Sequence, residues 1–278
     1  MPPVRLIATD LDGTLLTSRR ELNSEAAAAL RQAHEAGIVV CLASGRALNT
    51  MLPYAEQLGV PGPIVSCNGA YVVDHRGIPI HDHSLEEVTR DVLLDYASHN
   101  GLHVNAYVKG RVLSSEAGEW YEMYRARVRA EMEVVGMAAL ADYRPTKILF
   151  IDEPEAILHH RSQLAEVMAP HGVTVVISEP DYIEFLPAGV TKAEGLKAVA
   201  AALEIAQDEV AAVGDWDNDL EMVQWAGLGG AVANGSEAVR AAADIVVSSN
   251  DEGGVAEFVR MACFGVSRSS GYTLADEV

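Results

Sequence analysis

The stretch that decides the fold is VRLIATDLDGTLL, residues 4–16. Val4 to Ala8 is an apolar run, which is typical of a β-strand buried on both faces. Two aspartates follow, Asp10 and Asp12, whose spacing lets both carboxylates reach into a crevice where the backbone turns. Gly13 permits that turn and the close approach of a ligand. Solvated acids in an Asx-type turn fit the same residues, so this stretch alone leaves its chemistry open.

Strands and helices alternate on the C-terminal side of this stretch. The order strand, helix, strand, helix, strand predicts an α/β fold with a Rossmann-like, doubly wound parallel sheet as its core. Polar residues follow the predicted strands at their carboxyl ends, where such sheets bind ligands. The predicted elements are a helix from Asn23 or Ser24 to Ala36, strands from Ile38 to Ala43 and from Pro63 to Ser66, and, later in the chain, a helix from Lys192 to Leu203, a strand from Val210 to Val213 and a helix from Asn218 to Ala226.

The stretch between these two parts has a different rhythm, in which hairpins and helices predict an inserted α+β domain. Its first helix is predicted to begin with a capping box at Ser84 to Glu87 and to end at Gly101. We predict a discontinuous catalytic core of residues 1–82 and 188–278 and an inserted cap domain of residues 83–187. Because both connections of the insert lie next to the catalytic edge of the predicted sheet, we expect the cap to close over the site and to select the substrate.

Composition and charge exclude several classes of partner. The formal net charge is −20 at pH 7, which opposes binding to nucleic acid and to anionic membrane surfaces. No window reaches the roughly 18 apolar residues of a membrane span, and the N-terminus lacks the basic and apolar regions of a signal peptide. Three cysteines without a CxxC pair suit a reducing cytosol. We therefore predict a cytoplasmic protein. We also predict that it is a monomer or a homodimer and that its polar residues 266–278 are loosely held.

Four clusters of polar residues carry candidate chemistry. In the first cluster, one carboxylate of the pair Asp10 and Asp12 could attack a phosphorus atom while the other handles a proton. The second cluster is Ser44-Gly45 at the end of the second strand, where a hydroxyl and the N–H groups of a helix start can cradle a phosphate. Ser and Gly are common in turns between a strand and a helix, so the second cluster is a weak signal by itself.

The third cluster is Lys192 at the start of a predicted helix, where a cation opposes the helix dipole. A residue that breaks a local rule often has another task, such as bridging Asp10 and a phosphate oxygen, and the alternative is a solvated surface lysine. The fourth cluster is GDWDND, residues 214–219. Magnesium prefers oxygen ligands, which Asp10, Asp215 and the main-chain carbonyl of Asp12 could supply. An N-cap would explain one acid of the fourth cluster, but three are harder to explain in that way.

The combination of these clusters resembles the haloacid dehalogenase superfamily. The shared pattern is hhhhDxDGTL, hhhSGR, K and hhGDxxND in this order, where h is an apolar residue. The resemblance extends from Leu6 to about Val259. The stretches similar to its Cof-like branch are Cys67 to Ala70, Glu184 to Lys192, Ala226 to Gly229, Ala241 to Asp244 and Ser249 to Val255. The resemblance implies a phosphatase that uses Mg²⁺ and a transient aspartyl-phosphate to hydrolyse a small phosphorylated metabolite, such as a sugar phosphate.

The resemblance also implies a role for each matching residue. Asp10 would be the nucleophile and a metal ligand, and Asp12 the general acid and then the base, with its carbonyl on the metal. Asp215 would be the second metal carboxylate, and Asp219 a ligand either directly or through water. The phosphate-binding residues would be Leu11 through its N–H, Ser44, Gly45, Lys192 and Asn218. Trp216 departs from the family pattern, and would either form a wall of the pocket or pack on a helix face.

Two alternatives share much of this pattern. A phosphomutase of the same superfamily would carry the same four clusters, and only its product distinguishes it from a phosphatase. A receiver-like module that is phosphorylated on an aspartate would need neither Asp12 as a placed acid nor the long insert between Gly69 and Lys192. A nucleotide-dependent dehydrogenase is excluded because no GxGxxG turn follows the first strand.

Overall fold

The structure, a computed structural model, describes residues 3–265 of the chain. The predicted loosely held residues 266–278 lie outside this range. The strands are β1 (Leu6–Asp10), β2 (Val39–Ala43), β3 (Ile64–Ser66), β4 (Tyr71–Val73), β5 (Pro79–Asp82), β6 (His103–Val108), β7 (Arg111–Ser114), β8 (Glu133–Val134), β9 (Lys147–Ile151), β10 (Val173–Glu179), β11 (Tyr182–Pro187), β12 (Val210–Gly214), β13 (Leu228–Val232) and β14 (Ile245–Val247). The helices are α1 (Ser24–Glu35), α2 (Leu48–Leu58), α3 (Glu87–Asn100), α4 (Glu119–Val128), α5 (Pro154–Met168), α6 (Lys192–Ala202), α7 (Leu220–Trp225), α8 (Glu237–Ala242) and α9 (Gly254–Phe264).

The first sheet has the strand order β14-β13-β12-β1-β2-β3-β4-β5. Strand β1 pairs in parallel with β12, β12 with β13, and β13 with β14, whereas β3, β4 and β5 form antiparallel ladders. Every residue of β1 and of β12 is buried, which explains why their sequences are apolar without alternation. This sheet confirms the predicted α/β fold with a Rossmann-like core.

The register of β1 against β12 places their carboxyl ends level with each other. Thr9 of β1 lies opposite Val213 of β12, one residue before the end of each strand. The turn that follows β1 at Asp10 and the turn that follows β12 at Gly214 therefore meet at one edge of the sheet. Two acidic motifs that are far apart in the sequence become neighbours for this reason.

The second sheet, within the predicted insert, has the strand order β10-β11-β9-β6-β7-β8, and all its neighbours are antiparallel except β7 and β8. One face packs on buried side chains of α3 and α5 and carries Val104, Ala106, Ile148, Phe150, Ile183 and Phe185. Side chains alternate between the faces of a strand, so the other face carries Tyr107, Lys147, Leu149, Ile151, Tyr182 and Glu184. This second face packs against Tyr124 of α4 and against Ala47 and Cys67.

The predicted capping box at Ser84 to Glu87 is wrong. Helix α3 begins at Glu87, and its N-cap residue Glu86 makes no side-chain capping hydrogen bond. The Ser84 hydroxyl donates instead to Asp82 Oδ1 at 2.9 Å, and the Leu85 N–H donates to the carbonyl of Pro145 at 2.8 Å. The backbone of these residues is held by a distant segment before the helix starts, which no local pattern reveals. The predicted end at Gly101 is confirmed, with φ 67°.

The chain divides into two compact units. The first unit comprises the residues up to Leu42, Glu56–Gly62 and the residues from Ala200 onward, and the second comprises Ala43–Ala55 and Pro63–Val199. The second unit includes the whole predicted insert, and the predicted domain boundaries stay a prediction. Among the described residues, no helix has both the length and the apolar character that crossing a membrane requires.

Candidate active site

Strand β1 ends at Asp10, whose side chain is buried with 4% of its surface exposed. The next five residues, Leu11–Leu15, form one wide helical turn that is closed by a hydrogen bond from the Leu16 N–H to the Leu11 carbonyl at 2.8 Å. Asp12 lies in this turn with an extended backbone conformation (φ −79°, ψ 116°) and is exposed. The two aspartates therefore differ in environment, since the first is enclosed and the second is open to water.

Gly13 has a left-handed backbone conformation with φ 82°, which side chains rarely adopt. A Cβ atom at this position would lie 2.3 Å from Asp215 Oδ2, far inside van der Waals contact. The close approach predicted for Gly13 is thus an approach by the side chain of Asp215. The Thr14 hydroxyl donates to Asp215 Oδ1 at 2.9 Å and holds that carboxylate in place.

Asp10, Asp215 and Asp219 form a cluster that could hold a metal ion. One carboxylate oxygen from each residue lies within 4.8 Å of the others. Asp10 and Asp219 are buried and Asp215 is half-buried, so water screens the three negative charges only weakly. Close carboxylates repel one another, and a divalent cation with oxygen ligands is the group that relieves this repulsion. The donor set therefore fits Mg²⁺, which is the ion predicted from the sequence.

Asp219 has a structural task as well. Its Oδ2 accepts hydrogen bonds from the N–H groups of Asp215 at 3.0 Å and Trp216 at 3.2 Å. Gly214 makes room for this contact, because a Cβ there would lie 2.4 Å from the Cβ of Asp219. Asp219 accepts these bonds from N–H groups that precede it, as the acid of a capping box does, and makes no side-chain N-cap bond to α7, so the N-cap interpretation of this acid is wrong. The bonds fix the backbone of Asp215.

Three residues that carry no predicted role support the turns at Gly13 and Asp215. Asn234 Nδ2 donates to the Gly13 carbonyl at 2.8 Å, and the Asn250 N–H donates to Asn234 Oδ1 at 2.9 Å. Asn250 Nδ2 donates to the Leu16 carbonyl at 2.8 Å, and the Ser236 N–H donates to the Asp215 carbonyl at 2.7 Å. The only local signal was the polar stretch around Asn250, which was noted for its resemblance to the family and not for a contact.

In the second unit, the candidate phosphate cradle is the turn Ser44-Gly45-Arg46 after β2. The side chain of Ser44 is buried, with 2% exposed. All three carbonyls of the turn accept hydrogen bonds from the protein: Ser44 O from the Asn68 N–H at 3.0 Å, Gly45 O from Lys147 Nζ at 3.2 Å, and Arg46 O from the Cys67 N–H at 2.8 Å. Acceptor atoms are thereby turned toward protein donors, as a turn that binds an anion through hydroxyl and N–H groups requires.

Lys192 is the first residue of α6 and is 1% exposed. The alternative of a solvated surface lysine is therefore wrong. Two glycines bring the turn after β3 onto the first turn of α6. A Cβ at Gly69 would lie 2.1 Å from the Thr191 carbonyl oxygen, and a Cβ at Gly195 would lie 2.9 Å from the Gly69 Cα. The segment that resembles the Cof-like branch at Cys67 to Ala70 thus packs next to Lys192.

The remaining predicted residues lie on the turns already described. Leu11 is buried and directly follows Asp10, whereas Asn218 is exposed in a short 3₁₀ turn, Asp217–Asp219, which precedes α7. The predicted helix start at Asn218 was therefore two residues early. Trp216 is 60% exposed, so its alternative interpretation as a residue packed on a helix face is wrong.

The chain is similar to several known proteins over most of its length. A family profile described as haloacid dehalogenase-like hydrolase matches residues 7–259. Phosphatase YwpJ of Bacillus subtilis is 29% identical over 282 residues, which cover 92% of this chain and 99% of that protein. From the same organism, the 5-amino-6-(5-phospho-D-ribitylamino)uracil phosphatase YitU is 28% identical over 278 residues, which cover 92% and 96%. The crystal structure of a haloacid dehalogenase-like hydrolase from Bacteroides thetaiotaomicron has a TM-score of 0.85 and 30% identity, over 92% of this chain and 98% of that one.

Proposed function

The chain belongs to the haloacid dehalogenase-like hydrolases and to their Cof-like branch, and from this premise we propose that it is a magnesium-dependent phosphatase that acts through an aspartyl-phosphate on Asp10. Its family and its phosphatase relatives make it a hydrolase of phosphoric monoesters. The metal, the covalent intermediate and the substrate class are the parts that we propose. The observation that carries them is the cluster of Asp10, Asp215 and Asp219 beside the exposed Asp12.

The two aspartates of the first motif divide the chemistry between them. A carboxylate oxygen of Asp10 attacks the phosphorus atom, the bond from phosphorus to the alcohol oxygen breaks, and Asp12 donates a proton to that oxygen. Asp12 then takes a proton from a water molecule, whose oxygen attacks the phosphorus of the phosphoaspartate. The bond from phosphorus to the Asp10 oxygen breaks, so inorganic phosphate leaves and the Asp10 carboxylate is restored. The exposure of Asp12 suits this second step, because its carboxylate must meet water.

The remaining polar residues bind the phosphate and the metal. Ser44, Gly45 and Lys192 are proposed to bind phosphate oxygens together with the Leu11 N–H and Asn218. Mg²⁺ would be held by Asp10, Asp215 and the Asp12 carbonyl, with Asp219 as a direct or water-mediated ligand. When bound, the ion would offset the negative charge of the carboxylates and of the phosphate.

The proposed substrate is a small phosphorylated metabolite, such as a sugar phosphate. The relative YitU is named for a metabolite in which the phosphate ends a ribityl chain, which is a compound of this class. We propose that residues 83–187, as a cap domain, contact the part of the substrate that is not phosphate. The predicted cytoplasmic location and the oligomeric state, a monomer or a homodimer, stay predictions.

The test is the variant Asp10→Asn, assayed with a general aryl phosphate in the presence of Mg²⁺. Turnover should fall by several orders of magnitude, because the variant loses the nucleophile and one metal charge while it keeps the shape of the side chain. Chelation should abolish wild-type turnover, and added Mg²⁺ should restore it. The matched control is Asp217→Asn, which removes an exposed acid of the turn after β12 whose side chain accepts a hydrogen bond from the Ser236 hydroxyl.

Product analysis in the same assay separates the alternatives. Release of inorganic phosphate in proportion to the alcohol supports a phosphatase. Transfer of the phosphoryl group to a sugar would indicate a phosphomutase instead, and a single phosphorylation without turnover would indicate a receiver-like module. Wild-type activity in Asp10→Asn would show that the covalent mechanism is wrong.

A further inference from the structure

Lys147, the first residue of β9, has a charged side chain that is buried on the second sheet. The Lys147 Nζ lies 3.1 Å from Glu184 Oε2, and the two side chains are only 3% and 10% exposed. The ammonium also lies 4.2 Å from the centre of the Tyr107 ring. Burial disfavours the charged form, but the Glu184 carboxylate and the neighbouring Tyr124 and Cys67 together outweigh it, so the pKa of Lys147 lies above its usual value and the side chain stays charged.

A buried ion pair of this kind is rarely a source of stability. Removing two charges from water costs several kcal/mol per ion, and an apolar pair of similar volume is often equally stable. The neighbouring positions on this face are filled by Leu149 and Ile151, which shows that apolar side chains fit here. Stability therefore does not explain the charge at Lys147, and the third contact of its ammonium indicates a function.

That third contact is with the candidate phosphate cradle. Lys147 Nζ donates a hydrogen bond to the carbonyl of Gly45 at 3.2 Å. This carbonyl belongs to the peptide that joins Gly45 to Arg46, and a peptide unit is planar, so holding the oxygen also sets the direction of the Arg46 N–H. The Arg46 N–H donates to the Ser44 hydroxyl oxygen at 3.2 Å. A chain of two hydrogen bonds thus runs from Lys147 through one peptide to the Ser44 hydroxyl.

The consequence concerns the proton of the Ser44 hydroxyl. Because its oxygen accepts a bond from the Arg46 N–H, the hydroxyl can direct its own proton to another acceptor. A rotated Gly45-Arg46 peptide would have the opposite effect, since it would remove that donor from Ser44 and present a carbonyl oxygen to an anion. Hydrogen bonds to a phosphate are charge-assisted and sensitive to such geometry.

We propose that Lys147, held by Glu184, is a positioning residue for the Ser44-Gly45-Arg46 turn and sets the affinity of the enzyme for the phosphate group without touching it. This inference rests on the proposed function, in which Ser44 and Gly45 bind phosphate. It differs from a purely structural ion pair, whose loss would lower stability and leave phosphate binding unchanged.

The variant that tests the inference is Lys147→Met/Glu184→Gln, which removes both charges and leaves no unpaired buried ion. The inhibition constant of orthophosphate as a product inhibitor, and KM for an aryl phosphate, should each rise at least tenfold, with a smaller change in kcat. The matched control is Lys197→Met/Glu194→Gln, which removes a lysine–glutamate pair of 2.7 Å on α6 whose side chains are 41% and 52% exposed. The control should keep both constants within twofold of the wild type.

A second measurement shows whether Lys147 acts through Ser44. Ser44→Ala should raise the orthophosphate inhibition constant, and adding Lys147→Met/Glu184→Gln to it should raise the constant little further, because both changes remove the same interaction. If the double variant does not fold, Glu184→Gln alone, which keeps Lys147, serves in the same cycle. Its smaller effect should vanish in the Ser44→Ala background.

Two results would overturn the inference. One is an orthophosphate inhibition constant within twofold of the wild type in Lys147→Met/Glu184→Gln, and the other is a full multiplication of the separate effects in the cycle. Either result leaves the proposed function intact as long as the enzyme turns over. A wild-type protein without turnover would instead refute the proposed function, and titration calorimetry with orthophosphate would still compare the variants.

Discussion

At the scale of single residues, burial separates the two interpretations of Lys192. Lys192 is 1% exposed. Its ammonium must contact polar groups, because burying an isolated ammonium costs several kcal/mol. The sequence signal for this residue was its unfavourable place at a helix N-terminus. The burial contradicts a solvated surface lysine, and the role proposed for Lys192 stays a prediction. An unfavourable interaction with the helix dipole costs only about 1 kcal/mol or less.

Asp12 offers a prediction about the second chemical step. Asp12→Asn should still accept a phosphoryl group from an activated ester, but should release it slowly because no base activates water. Asp12 is exposed, and an asparagine keeps the shape of its side chain. Rapid quenching after mixing with a substrate that has a good leaving group should show phosphoenzyme that accumulates. Equal loss of both steps, without accumulation, would argue against the role in acid–base catalysis.

Trp216 offers a prediction about stability. Its side chain is 60% exposed, so Trp216→Ala should change the free energy of unfolding by less than about 0.5 kcal/mol in chemical denaturation. The reference is Phe258→Ala, which removes a fully buried aromatic ring and should cost about 3–5 kcal/mol. A loss above 1.5 kcal/mol in Trp216→Ala, with the same denaturant dependence, would show that the ring packs in the folded state after all.

At the scale of elements, β1, β2, β3 and β12 were predictable because each is a short apolar run with a polar end. The polar clusters at Asp10, Ser44 and Gly214 were predictable for the same reason, because they follow those ends directly, whereas Lys192 was predicted from its place at a helix start. The supporting contacts were not. Asn234 and Gly13 lie 221 positions apart, and Asn250 and Leu16 lie 234 apart. Asn-Gly and Ser-Asn are also ordinary turn sequences, so nothing local distinguishes a residue that supports a site from one that only turns the chain.

Strand β6 carries a prediction about pH. Burial lowers the pKa of His103 below its usual value of about 6.5, and its Nε2 lies near Asn105 Oδ1 at 3.2 Å and the Ser114 hydroxyl at 3.1 Å. As the pH falls through about 6.5, the unfolded chain binds this proton before the folded chain does, so the folded state loses stability. We expect the free energy of unfolding to fall between pH 7 and pH 5, by up to about 1.4 kcal/mol per pH unit from this residue.

Two variants show whether His103 causes this dependence of the unfolding free energy on pH. His103→Gln should flatten the dependence of the unfolding free energy on pH over this range. His99→Gln, which removes a side chain that is 74% exposed, should leave it unchanged. A slope that is the same in wild type and His103→Gln would mean that another group binds the proton; His160, whose pKa burial also lowers, would then be the next to replace.

At the scale of the whole molecule, the net charge of −20 and the proposed site act on an anionic substrate in opposite directions. An anionic substrate is repelled by the protein at long range, where the repulsion is screened over about 8 Å at physiological salt. It is attracted only at short range, by the cations proposed for the site. A substrate with one or two phosphate charges meets a small barrier, whereas a polynucleotide carries many charges that cannot all enter one site.

The last prediction follows from this balance and concerns the substrate class. The purified protein should hydrolyse small phosphorylated metabolites with a kcat/KM at least a hundredfold above that for phosphopeptides or for the terminal phosphate of an oligonucleotide. A panel of phosphorylated sugars, cofactor precursors, phosphopeptides and 5′-phosphorylated oligonucleotides, assayed for released phosphate with Mg²⁺, provides the measurement. Repeating the panel at two salt concentrations is the control for charge, because screening should favour the oligonucleotide far more than the metabolites. If phosphopeptides or oligonucleotides were hydrolysed as well as the best metabolite at both salt concentrations, neither the charge nor the insert could restrict the substrate, and the proposed class would be wrong.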